Sequence, residues 1–148
     1  MTVVAACHHS DVQINPNPKI PNSTRWIGTL SSPPNLAGAV QIRGSAWMAP
    51  PVASDSGQTV VSVSISNAAA GGVHPWAVHQ GTCGNDQGMF GEGSNYAPLR
   101  VNSDGTASAK TTLRDATPKS GNYFVEVLAS PSNTGTVIAC GNLAPPSA

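Results

Sequence analysis

The stretch Thr59 to Asn67, Thr-Val-Val-Ser-Val-Ser-Ile-Ser-Asn, sets Val61, Val63 and Ile65 against Ser62, Ser64 and Ser66. Successive side chains of a β-strand point to opposite faces, whereas a helix brings residues three or four apart onto one face. A period of two therefore dictates an extended segment with an apolar face buried and a hydroxyl face in water. Other runs bounded by Gly, Pro, Asn or Asp read as strands: from Ala39 through Val40 and Ile42, Val73 to Gln80, Leu99 to Asn102, Thr106 to Leu113, Tyr123 to Ala129, and Thr136 to Cys140. Asp104-Gly105 is a hairpin turn signal. Short strands at a spacing of roughly 8 to 12 residues, with no helical window, predict an all-β fold, either a Greek-key antiparallel β-barrel or a sandwich. Gly84 to Tyr96 breaks the pattern with Gly84, Gly88, Gly91 and Gly93 and reads as a functional loop.

Three segments are expected. Residues 1–36 hold Pro16, Pro18, Pro21, Pro33 and Pro34 among Asn and Ser, and read as an extended tether, open to ending in a first strand, with Trp26, Ile27 and Leu30 to dock it. Residues 37–143 form the β-domain, and 144–148 a frayed tail. Seven Lys and Arg balance seven Asp and Glu, so the chain lacks the positive footprint that nucleic-acid binding needs. No run of 18 apolar residues exists, so no transmembrane helix is expected.

Cys7, Cys83 and Cys140 allow one disulfide and one remainder. Cys83 with Cys140 is the expected pair, because both end predicted core strands while Cys7 lies beyond the tether. A disulfide implies an oxidising compartment; the alternative is two buried thiols in a reducing one. Val4-Ala5-Ala6-Cys7 is similar to the processing box of a bacterial lipoprotein, which makes Cys7 a lipidation candidate behind a truncated signal. A spare thiol on an apolar start is the other reading. If Cys7 carries lipid, the Pro/Asn-rich segment becomes a spacer from a membrane surface.

The densest chemistry lies in Gly71-Gly72-Val73-His74-Pro75-Trp76-Ala77-Val78-His79-Gln80-Gly81-Thr82-Cys83. On one continuous strand His74, Trp76 and Val78 share a face, with Ala77 and His79 on the other. A His-x-His pair on a strand is a natural metal claw, and here Ala77 occupies its first position. This run, followed by Asp104-Gly105-x-Ala107, Tyr123 to Leu128 and Ala139-Cys140-Gly141, resembles the copper/zinc superoxide dismutase superfamily over about residues 38 to 143. The resemblance implies a superoxide dismutase-like Greek-key barrel, a Cys83–Cys140 disulfide, and a periplasmic, cell-surface or secreted location.

Carried over residue by residue, the family's metal sites are incomplete. His79 matches a copper position, while Ala77 and Leu128 stand where two further copper ligands are implied. The chain has four histidines, His8, His9, His74 and His79, so the zinc set is absent. His74 aligns with a structural histidine that bonds backbone and binds no metal. Met89, Asp86 and Glu92 are the remaining candidate donors around His79. The first expectation is thus a domain that has lost most metal ligands, holds no cofactor, and acts as a non-catalytic binding or structural module. The second is a copper-binding or residually active metalloprotein centred on His79. A third, similarity to chordin-type extracellular domains, implies partner binding through an exposed apolar patch.

Overall fold

The computed structural model describes residues 24–36, 41–52 and 57–146. Ten strands follow in chain order: β1 (Trp26–Ser31), β2 (Arg43–Ala49), β3 (Thr59–Ser66), β4 (Val73–His74), β5 (Trp76–Thr82), β6 (Asn85–Met89), β7 (Leu99–Arg100), β8 (Ala107–Leu113), β9 (Tyr123–Ser130) and β10 (Asn133–Leu143). Eight of them form one antiparallel curled sheet in the order β6-β5-β9-β10-β1-β2-β3-β8, and β4 pairs with β7. β7 also contacts β8, and β4 contacts β9, so the small ladder lies between the two flanks of the large sheet.

β3 shows why the sheet curls around a core. Val61 and Val63 are fully buried and Ile65 is nearly so, while Ser64 and Ser66 are exposed. Burying each such side chain contributes about 1.5–3 kcal/mol. The hydroxyl side continues across the sheet, because Ser45, Ser64 and Ser108 are direct cross-strand neighbours. One row along, Trp47, Ser62 and Lys110 are aligned, and Arg25 and Lys110 lie 4.9 and 5.5 Å from the Trp47 ring.

The sheet starts earlier than the expected boundary at residue 37. β1 lies within the segment read as tether, pairs with both β2 and β10, and buries Trp26 and Leu30. Trp26 donates its indole N–H to the Pro118 carbonyl at 2.9 Å and meets Tyr123 edge-on at 5.2 Å. At the other end Ala144, expected in a frayed tail, exchanges two backbone hydrogen bonds with Ile27. The run Val73 to Gln80 is not one strand. Pro75 lacks the N–H that a ladder needs, so the chain breaks into β4 and β5 there. The expected loop Gly84 to Tyr96 begins with a strand, β6, which pairs with β5. Cys7, His8 and His9 lie outside the described residues.

Among the described residues no helix is long and apolar enough to cross a membrane. The large exposed hydrophobic side chains, Ile27, Val52 and Met89, stand on three separate segments.

Candidate functional site

Side chains directly opposite one another in neighbouring strands lie on the same face of the sheet. Val78, opposite Val125, and Trp76, opposite Val127, point into the core. The alternate residues therefore form an outer row in which Ala77, Glu126, Cys140 and Ser31 follow one another across β5, β9, β10 and β1. The adjacent row places His79 opposite Phe124 on one side and Met89 on the other. His79 is 7% exposed, and its ring stacks on Phe124 at 5.3 Å with an interplanar angle of 25°.

Both imidazole nitrogens of His79 face carboxylates: Nδ1 lies 3.0 Å from Asp86 Oδ1, and Nε2 lies 3.1 Å from Glu126 Oε1. Together, one donor atom from each residue lies within 4.8 Å of the others. Asp86 reaches this position because Gly81 takes a positive φ of 111° at a register shift in β5. A side chain at Gly81 would collide with the Asn85 carbonyl, so the turn into β6 depends on that glycine.

The two carboxylates have opposite electrostatic characters. The Gly88 N–H, 2.8 Å from Asp86 Oδ1, holds the Asp86 pKa below the ordinary range, with His79 adding to the effect. Glu126 is raised, chiefly because its side chain is only 14% exposed, with Asp86 adding to the rise and His79 opposing it. Linkage gives each a sign. Asp86 contributes stability above the ordinary aspartate range of about 4, and this is lost as pH falls through its lower folded value. Glu126 contributes stability below the ordinary glutamate range, and this is lost as pH rises through its higher folded value. Thermal unfolding at pH 3 and pH 7 is expected to show Asp86→Asn losing ground to wild type as pH rises, and Glu126→Gln gaining it. Parallel pH profiles for the two variants would contradict this assignment.

The candidate residues distribute unevenly. Asp86 joins His79, whereas Glu92 is outside the three-residue group and borders a separate surface cavity with Arg114 and Asp115. Met89 lies opposite His79 in the register, with its side chain 45% exposed at the sheet edge. Ala77 is buried and lies across from Glu126. Leu128 is not the cross-strand neighbour of His79; its partner is Val137, and its N–H donates to the Pro75 carbonyl. Glu126, two residues earlier on the same face of β9, is the β9 side chain that reaches His79. It has no counterpart among the sequence candidates, and its signal is a lone carboxylate within the strand Tyr-Phe-Val-Glu-Val-Leu.

His74 is separate from this cluster. Its Nδ1 lies 3.0 Å from the Leu128 carbonyl and 2.9 Å from that of Ala129, so this nitrogen carries the proton. Gly72 leaves room for the ring, because a Cβ there would sit 2.7 Å from His74 Nε2. The Cys83–Cys140 disulfide is formed, with Cα atoms 6.0 Å apart, and ties the β5–β6 turn to β10. The Cys83 N–H donates to Asn142 Oδ1 at 2.8 Å.

Comparison with known proteins yields no matching protein-family model and no matching curated protein.

Proposed function

We propose that this chain is a superoxide dismutase-like domain of the bacterial envelope or a secreted counterpart, which acts as a non-catalytic binding or structural module. The observation that carries this reading is the engagement of His79. Each of its nitrogens already faces a carboxylate, and buried Ala77 is beside it where a further imidazole would be needed. One imidazole with two hard oxygen donors does not suit copper, which must be held by soft or nitrogen ligands in both oxidation states to cycle. The residues present do not fit the family's copper set. The low, balanced charge also provides no steering of an anionic substrate.

The strand order supports the fold half of the reading. β3 pairs with β8 and β5 with β9, both non-consecutive, while first and last strands are neighbours, and such non-sequential pairing is what Greek-key connections produce. The disulfide favours an oxidising compartment. Lipidation at Cys7 would place the domain at a membrane surface.

A second reading rests on the convergence of His79, Asp86 and Glu126. A divalent ion at Nε2 would take Glu126 as co-ligand, while Asp86 on Nδ1 would orient the ring, a carboxylate–histidine–metal arrangement. Its oxygen content favours zinc or another hard divalent ion over copper.

Metal content separates the two. The full chain, loaded with copper and zinc and then freed of loose ions, is expected to retain no stoichiometric metal and to show no superoxide dismutation. One equivalent of zinc, lost in both His79→Ala and Glu126→Gln, would establish the second reading. One equivalent of copper lost in His79→Ala would overturn the loss of metal chemistry altogether.

A further inference from the structure

On the outer face of the sheet, beside the His79 cluster, lies a cavity of about 590 Å³. Its floor includes Glu126 and the Cys83–Cys140 disulfide, and one wall is the chain from Ser31 to Leu36 that leaves β1. The start of β10 adds Gly135, Thr136 and Val137 to the lining. This volume is far more than a metal ion occupies and falls in the range of small-molecule sites, about 300–1,000 Å³. Pro33, Pro34, Leu36 and Val137 supply apolar surface, and Ser31 and Thr136 add hydroxyls.

Among the described residues that line the cavity, Glu126 is the only charged one. Glu126 lines the cavity, and one of its carboxylate oxygens lies 3.1 Å from His79 Nε2. The Glu126 side chain is only 14% exposed, a place where a charge-assisted hydrogen bond from an occupant is strengthened by the low local dielectric. The complementary occupant has an apolar body and a cationic head.

We propose that this cavity binds a small organic cation, a primary amine on an apolar body, with its ammonium group donating to Glu126 and its body against Pro33, Pro34, Leu36 and Val137. The inference deepens the binding-module reading and rests on it for its sense of purpose, but its test is independent of metal.

The probe is phenethylamine, compared with its neutral analogue 2-phenylethanol and the anion phenylacetate, titrated into the full chain in the presence of EDTA. Amide chemical shifts follow binding. Shifts confined to Ser31, Ser32, Asn35, Leu36, Glu126, Thr136 and Val137 are expected, with the amine binding about tenfold or more tightly than the alcohol, as one charge-assisted hydrogen bond allows. Glu126→Gln is expected to erase the preference for the amine while leaving residual binding of both ligands. Thr136→Trp, which fills the cavity and leaves Glu126 in place, is expected to abolish both and serves if the first variant does not fold. Equal binding of amine and alcohol, or shifts elsewhere on the surface, would overturn the proposal. Metal retention in the loading experiment together with amine selectivity here would replace the first functional reading with the metal-binding one and leave the cavity's assignment standing.

Discussion

Trp26→Ala is expected to destabilise the domain by about 3–5 kcal/mol, the range for deleting a large buried aromatic side chain. Trp26 is completely buried, packs edge-on against Tyr123, and donates its indole N–H to the Pro118 carbonyl. The substitution therefore opens a cavity and leaves that carbonyl without its donor. Domains of this size have a total stability of about 5–15 kcal/mol, so the loss is a large share of the whole. The thermal midpoint should fall by on the order of 10 °C. Trp26→Phe, which keeps much of the volume but loses the hydrogen bond, should cost less than half as much. An unchanged midpoint in Trp26→Ala would mean that β1 is not part of the cooperative core.

Removing the disulfide is expected to cost a similar amount. Cys83 and Cys140 are 57 residues apart, and the chain-entropy relation assigns about 4 kcal/mol to closing a loop of that length. The double variant Cys83→Ser/Cys140→Ser should unfold at clearly lower urea concentration than the oxidised protein, with the reduced wild type close to the variant. Coincident curves for oxidised and reduced wild type would show that the fold's stability does not depend on this bond. Both cysteines also border the cavity, so the variant tests whether the bond shapes the cavity floor.

Legibility of the fold in the sequence followed the physics of each strand. β3 is readable because its outer face is nearly all hydroxyl and its inner face is aliphatic from Val61 to Ile65, so the period of two stands alone. β1 alternates as cleanly, with Trp26, Gly28 and Leu30 buried and Ile27, Thr29 and Ser31 exposed, yet with prolines on both sides the sequence suggests it only as the end of a tether. β6 had no apolar period to read. Its residues Asn85 to Met89 are all exposed, and it is a strand only because β5 gives it a ladder. The disulfide partners are legible from the expected strand ends, although only Cys83 directly follows a strand and Cys140 lies within β10, which runs on to Leu143.

The candidate site divides the same way. His79 and Asp86 are seven residues apart around one hairpin, close enough for the sequence to suggest them together. Glu126 comes from β9, and its approach to His79 depends on which residue of β9 faces which of β5. A shift of one residue would have turned the carboxylate into the core. Cross-strand register is set by the packing of Val78, Val125 and Val127 on the other face, and the spacing of charged residues along the chain carries no trace of it.

The adjacency of β1 and β10 determines how the domain would respond to being pulled. Ile27 and Ala144 are hydrogen-bonded to each other at one end of this antiparallel pair, so tension applied through the chain before Trp26 and after Ala144 acts at that end. The ladder would open like a zipper, one bond bearing the load at a time, with little resistance. Peeling of β10 would then reach Cys140, which is opposite Ser31 and covalently held to Cys83. From there the 57-residue span between the cysteines cannot lengthen, and only further detachment of β1 and its neighbours can yield. On a tethered surface the domain would give way readily at first and then stop at a covalent limit, so a brief tug lengthens the chain without exposing the strands enclosed by the disulfide.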